Sequence, residues 1–355
     1  MRLGPSELRL VRRLSLDPSL RQADLARELG ISRSAVNQVW KRLEQERNLI
    51  VRGNMDLGRL GLQLIFGWAS GLETSDVLDK FSRWLHTNSL VSRMTRSVMS
   101  STMDGRIYFE AIVPLGDQHT WFTSQVARFQ KRPYSLSVSW STASTIAYSL
   151  NPGLYDGEQW RFSNDFRLEA SIGAAKSYVD VLPVVNTVSQ SKVQNTDLSD
   201  IVVASAIEKD FHATGHEVRE LFETYGVSRP SNRTIRRKLE KMRGLATPYV
   251  HIDRVGLNQK LLVCLKDPSP GGSPLSRLLH AQVGTFPKAH IVSGGGLTVL
   301  DLEIPETVDW LTMSQILSTL SGNTSEICTF IANRNDIEKR LENVVSLIAQ
   351  RTPDE

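Results

Sequence analysis

Two serine-capped helical stripes, far apart in the chain, constrain its architecture more than any other feature. In SRSAVNQVWKRLE, Ser32 stands before Val36, Trp40 and Leu43; in SNRTIRRKLEKM, Ser231 stands before Ile235, Leu239 and Met242. A serine there accepts a bond from the free N–H groups of the first helical turn. Apolar residues at i, i+4 and i+7 form one buried stripe. Each stripe follows a shorter helix. In ADLAREL, Leu25, Ala26 and Leu29 share a face, and Gly30 closes the helix, because glycine takes the left-handed conformation without a Cβ penalty. In the second case TGHE, Thr214 to Glu217, is a capping box that opens a helix through Val218, Leu221 and Phe222, with Gly226 and Pro230 in the following turn. A further helix from Ser6 to Leu16, stopped by Asp17-Pro18, precedes the first pair. After Asn48, LIVRGNMDL reads as a small hairpin with Gly53-Asn54 at its tip. HIDRVGL, His251 to Leu257, echoes NMDLGRLGL, Asn54 to Leu62.

Behind each helix group the period shifts. GLQLIFGWAS is a strand, Ser75–His86 a helix, Leu90–Met99 and Arg106–Val113 strands around Asp104-Gly105, Asp117–Gln130 a helix, and Tyr134–Tyr148 a strand-rich segment. The second run is Lys260–Leu265, Pro274–Val283, Phe286–Val292, Leu297–Ile304, Val308–Leu320 and Glu326–Ile331. Both have the order βαββαβ, a ferredoxin-like unit. Each leaves its third strand through proline, Pro114 and Pro305, and places a tryptophan in the next helix, Trp121 and Trp310. The expected fold class is α+β: two winged helix-turn-helix domains alternating with two ferredoxin-like domains, by internal duplication. The boundaries expected are 1–58, 59–150, a packed linker 151–196, 197–256, 257–334, and a C-terminal segment 335–355 with a helix from Asn335 to Gln350.

A chain of 355 residues exceeds one ordinary core, which agrees with several domains. A net charge of +4 permits a polyanion partner without requiring one, so the placement of charge matters more than its sum. The two cysteines, Cys264 and Cys328, lie in apolar runs; they read as reduced strand residues, and their number excludes a disulfide framework. The leucine and charge alternation of MRLGPSELRLVRRL lacks a signal-peptide core, and no apolar run spans a membrane, so a cytoplasmic protein is expected.

The residues ADLARELGISRSAV and RLE, with the wing leading into LGRLGLQL, resemble the Lrp/AsnC family of regulators; SNRTIRRKLEKM and HIDRVGLNQKLLV resemble it more loosely. Members of that family are typically one winged helix plus one effector domain, whereas this chain resembles two such units fused. The resemblance implies sequence-specific double-stranded DNA as partner. It also implies a small-molecule effector such as an amino acid, and either a homodimer or an internal pseudo-dimer. A helix in the major groove would bring Arg33, Ser34, Asn37 and Gln38 to bases or adjoining phosphates. Lys41 and Arg42 would reach phosphate, which positions without specifying, and Arg52 on the wing would reach an adjacent phosphate strand or the minor groove. In the second copy Asn232, Arg233, Arg236 and Arg237 occupy the corresponding face, with Lys238 and Lys241 nearby. That local cation excess matters because phosphate neutralisation supplies most non-specific affinity. The competing reading of each face is a packed helical corner with a solvated basic side. The turns at Asp104-Gly105 and Gly294-Gly295-Gly296 are the places to look for an effector, though glycines there equally make plain hairpins.

Two alternatives use the same plan. Siroheme decarboxylases resemble it and include fused two-unit chains, so fold alone does not exclude an enzyme. That reading needs converging acid–base groups, and none of His86, His119, His212, His216, His251, His280 and His290 lies in the histidine-asparagine-tyrosine run associated with those enzymes. His212 and His216 have i, i+4 spacing, interrupted by Thr214-Gly215. A partner-binding protein that has lost DNA contact is the other alternative. The expectation drawn is a DNA-binding regulator that is not an enzyme, with no cofactor and no metal.

Overall fold

In a computed structural model, residues 3–71, 75–98, 105–161, 196–267, 274–308, 326–332 and 337–349 are described. Three helices open the chain, α1 (Pro5–Leu16), α2 (Gln22–Leu29) and α3 (Arg33–Arg47), followed by strand β1 (Ile50–Met55). A βαββαβ run comes next: β2 (Leu62–Gly71), α4 (Ser75–Thr87), β3 (Val91–Arg96), β4 (Gly105–Pro114), α5 (Asp117–Gln130) and β5 (Ser137–Thr142). After β6 (Thr145–Leu150) there are three further helices, α6 (Leu198–Lys209), α7 (Gly215–Thr224) and α8 (Asn232–Arg243), and then β7 (Ala246–His251). The remaining elements are β8 (Leu257–Lys266), α9 (Pro274–Gln282), β9 (Lys288–Gly294), β10 (Leu297–Pro305), β11 (Glu326–Ile331), β12 (Ile337–Glu338) and α10 (Leu341–Ala349). No helix among the described residues is long and apolar enough to cross a membrane.

The chain packs as two compact units, one from Met1–Arg52, Thr145–Thr187 and Pro248–Thr329, the other from Gly53–Ser144, Val188–Thr247 and Phe330–Glu355. The first unit joins α1 to α3 with a sheet of order β11-β8-β10-β9-β6. Its sheet alternates as the pleat requires. Leu300, Leu302 and Ile304 of β10 join Leu261, Val263, Leu265, Ala289 and Ile291 in one apolar layer, closed by Leu279 and Phe286. The opposite face of the same strands carries Lys260, Lys288, His290, Asp301 and Glu303. There Asp301 lies opposite His290 in register and Glu303 opposite Lys288 and Lys260, and Asp301 forms its ion pair with Lys260.

The second unit joins α6 to α8 with a sheet of order β12-β3-β4-β2-β5. Its apolar layer contains Ile65, Ile107, Phe109 and Val113, covered by Phe81, Leu85, Phe122 and Phe129 of α4 and α5. Phe81 packs edge-on against Phe109 and Phe129, an arrangement that adds to burial because ring edges and faces carry opposite partial charge. In both sheets the four strands that follow one another in the chain, β2 to β5 and β8 to β11, lie in the order fourth, first, third, second, with a fifth strand beside the second.

The structure departs from the sequence-based expectations at several points. LIVRGNMDL is not a hairpin: Ile50–Met55 is one continuous strand, and β1 pairs with β7. Gly53 is required there by close approach, since a Cβ would lie 2.8 Å from the Ile207 carbonyl oxygen and 2.9 Å from its Cγ2. Tyr134–Tyr148 contains two strands, and after Ala143-Ser144 β6 joins a different sheet from β5. The inward stripe of α3 is Val36, Val39 and Leu43, with Trp40 half-buried at its rim. Asp200–Ile207 of α6 are buried without a break, and α10 begins with its Leu341 N–H donating to the Glu208 carboxylate at 2.7 Å. The C-terminal helix runs over Leu341–Ala349, preceded by a short strand at Ile337–Glu338, rather than from Asn335. Met99, Asp104, linker residues 162–195 and the expected helix around Trp310 lie outside the described residues.

Candidate nucleic-acid interface

The N-terminal helices are arranged by their caps. Gly30 adopts φ 66° and ends α2, and Ser32 then accepts the Ala35 N–H at 3.1 Å to start α3. With Val36, Val39 and Leu43 inward, the helix turns Arg33, Ser34, Asn37, Gln38, Lys41 and Arg42 to solvent. Five of these form an uncommitted polar face with two cations, Arg33 and Lys41. Arg42 differs. Its Nε meets the buried Glu7 carboxylate at 2.9 Å, and Glu7 also accepts the Gly4 N–H at 2.8 Å, so this arginine is tied to α1.

Arg52, expected on an exposed wing, is buried with 7 % of its surface exposed. The reason is that β1 is a paired strand rather than a projecting tip. Its charge is felt by His251, whose imidazole is held below its usual range chiefly by burial, with Lys288 and Arg52 adding to the effect.

The helices α6 to α8 give a second polar face. Ser231 accepts the Thr234 N–H at 3.3 Å, and Ile235, Leu239 and Met242 are inward. Asn232, Arg233, Arg236 and Arg237 are exposed. Lys241 is not available in the same way: its Nζ meets Asp200 at 3.0 Å. Lys238 meets Asp200 at 2.7 Å and Asp197 at 2.8 Å. Burial opposes ionisation of Asp197, but bonds from Lys238, Ser199 and the Asp200 amide outweigh it and hold the carboxyl at about 2. Two lysines are thus neutralised by two aspartates, and Arg243 donates to the Phe211 and Ala213 carbonyls; the exposed cations left on α8 are Arg233, Arg236 and Arg237, with exposed Glu240 on the same helix.

The remaining sequence candidates are scattered. His212 precedes the Thr214 cap while His216 lies on α7 against Glu220, so they share no helical face. The Gly294–Gly296 turn is a tight hairpin between β9 and β10, with Gly295 at φ 52° and Gly296 at φ 80°. Cys264 is buried and Cys328 half-buried.

One group escaped the sequence reading. Asp253, His251 and Lys288 form a partly buried polar cluster at the end of α3, with His251 Nε2 3.0 Å and Lys288 Nζ 3.2 Å from the Asp253 carboxylate. Its trace in sequence is the HIDRVGL echo, which holds His251 and Asp253 but not Lys288.

The first three helices thus have the caps, stripe and polar outer face of a DNA-binding helix-turn-helix. A family model described as a winged helix-turn-helix DNA-binding domain matches residues 5–47. No curated protein matches the chain. Among solved structures, siroheme decarboxylase NirDL in complex with an iron-uroporphyrin III analogue shares 11% identity over 96% of this chain and 97% of its own, with a TM-score of 0.51. A Neisseria meningitidis transcriptional regulator complexed with L-Met shares 14% identity over 39% of this chain and 88% of its own, with a TM-score of 0.27. An AsnC family regulator from Agrobacterium tumefaciens shares 18% identity over 47% of this chain and 99% of its own, with a TM-score of 0.28.

At these identities the likeness is one of fold. It still corrects the expectation that the chain is not an enzyme: a solved structure that matches it almost end to end is an enzyme.

Proposed function

We propose that the chain is a sequence-specific DNA-binding regulator of Lrp/AsnC type, in which α3 and α8 each enter a major groove. The observation that carries this reading is the solvent-facing Arg33, Ser34, Asn37, Gln38 and Lys41 on a capped helix inside the matched segment. Asparagine and glutamine can bond adenine bidentately, so Asn37 and Gln38 are assigned to base reading. Arg33 and Lys41 are assigned to phosphate. On α8, Arg233, Arg236 and Arg237 give a clamp richer in charge and poorer in base-reading amides.

In this reading the chain is a tandem duplication. The equal strand orders of its two sheets and the serine-capped α3 and α8 support that view. A small-molecule effector belongs to the proposal without an assigned site. The test is fluorescence anisotropy with a selected duplex: Asn37→Ala plus Gln38→Ala should flatten the preference among base variants of the site. Unchanged preference would remove α3 from base reading.

A second reading is favoured by one specific observation, the near end-to-end likeness to siroheme decarboxylase NirDL. Decarboxylation replaces a carboxylate with a proton, so it needs a proton donor held near the substrate. Within the first unit, His290 stacked on Tyr148 at 4.4 Å is the candidate donor pair. Absorbance titration with siroheme decides this reading: a shifted porphyrin band followed by loss of carboxylate mass supports it, and an unaltered spectrum removes it.

A further inference from the structure

We propose that Asp253 and Lys288 are positioning residues that hold the C-terminal end of α3 from the adjoining sheet, so that the sheet sets how this helix is presented. The inference rests on the reading of α3 as a DNA-contacting helix and adds its means of control. Lys288 stands at the start of β9 with its side chain buried; its Nζ donates to Asp253 Oδ1 at 3.2 Å, Glu303 Oε2 at 2.9 Å and the Ile252 carbonyl at 3.1 Å. The other Asp253 oxygen turns to the helix, where Oδ2 accepts from Asn48 Nδ2 at 2.9 Å and faces His251 Nε2 at 3.0 Å. Asn48 is the left-handed C-cap of α3, at φ 51°. One backbone bond and one side-chain bond complete the grip: the Asp253 N–H donates to the Arg47 carbonyl at 2.8 Å, and Arg47 Nη1 donates to the Arg254 carbonyl at 3.0 Å.

One carboxylate thus joins a sheet strand to a helix cap. Burial opposes its ionisation, but His251 and Lys288 keep it well below the usual carboxylate range. A second tie runs alongside, since Tyr249 of β7 stacks on Tyr148 of β6 at 4.0 Å and 7°, and Tyr148 stacks on His290 of β9.

In the other unit the carboxylate at the corresponding place is turned elsewhere. There the Asp56 N–H donates to the Leu245 carbonyl at 2.8 Å, the same kind of backbone clamp just beyond α8. Its carboxylate turns to its own Arg59, accepting the Arg59 N–H at 3.3 Å and pairing with the guanidinium at 3.3 Å. Displacement of β9 would therefore reposition α3.

The test is hydrogen exchange on the full chain, which does not depend on DNA. In Lys288→Met, amides 45–49 should exchange about tenfold faster, the loss of one charge-assisted bond. Amides 240–244 at the end of α8 should be unchanged, and Lys288→Arg should restore the slow rates. Unchanged rates at 45–49, or an equal rise at both helix ends, would overturn the proposal. If Lys288→Met does not fold, the charge-balanced Asp253→Asn plus Lys288→Met variant is read by the same criteria. A footprint on the selected duplex should lose protection over the α3 half alone. Failure of the parent chain to bind any duplex would defeat the DNA reading, while the exchange rates would still decide the coupling.

Discussion

Removing two arginines from α8 should change the salt dependence of DNA binding by a calculable amount. Arg33 and Lys41 on α3, with Arg233, Arg236 and Arg237 on α8, are the exposed cations of the two faces left outside ion pairs. Arg42 is held by Glu7 and Lys241 by Asp200, so neither enters the sum. Each phosphate neutralised contributes about −0.9 to the slope of log affinity against log salt, so five contacts give a slope of about −4.5. A fourfold rise in salt then weakens binding about 500-fold. Arg236→Ala plus Arg237→Ala should bring the slope to about −2.7 and the same loss to about 40-fold. The assay is anisotropy of a labelled duplex between about 50 and 200 mM salt, the range in which such slopes are measured. A slope unchanged by the double substitution would mean that α8 does not touch DNA, and the tandem reading would lose its second half.

Three further outcomes follow from the packing. Gly53→Ala places a Cβ 2.8 Å from the Ile207 carbonyl; it should cost about 1–3 kcal/mol, read by urea unfolding, and an unaffected midpoint would refute the close approach. Asp200→Asn removes the shared partner of Lys238 and Lys241; breaking a buried pair should cost about 3 kcal/mol, and a loss below about 0.5 would show that Asp197 alone suffices. His280 is held at about 4 by burial, below its ordinary value of 6.5, with Ser293 Oγ 2.6 Å from its Nε2. The unfolded chain then binds more protons between those values, so stability should rise with pH across about 4 to 6.5 and fall on acidification, by on the order of 2 kcal/mol. His280→Gln should flatten that part of the melting-temperature profile, and an unchanged slope would assign it to other groups.

Much of the interface was legible because local chemistry specifies it. Gly30, Ser32, Thr214 and Ser231 act at helix ends through their own backbone geometry or side-chain oxygens, so sequence alone placed those ends. Strand periodicity likewise placed the strands of both sheets, since alternate residues face one apolar layer. What sequence missed depends on distant partners. The Arg52 position looked exposed because LIVRGNMDL carries hairpin signals, yet β1 finds its partner in β7. Helix α6 has no polar stripe because it is buried all round, and an amphipathic search passes over such a helix. Arg42 and Lys241 looked like phosphate contacts until Glu7 and Asp200 were seen beside them. Asp253 stands inside the HIDRVGL stretch, but its link from Lys288 to Asn48 exists only after three separated stretches meet.

Selection from a pool of random duplex DNA with the full chain tests the central claim most directly. The account expects an enriched motif of two unequal halves, whose affinity falls steeply with salt. Asn37→Ala plus Gln38→Ala should erase the preference in one half, and Arg236→Ala plus Arg237→Ala should weaken the other. No enriched motif, or weak binding indifferent to sequence, would contradict it and leave siroheme titration as the deciding measurement.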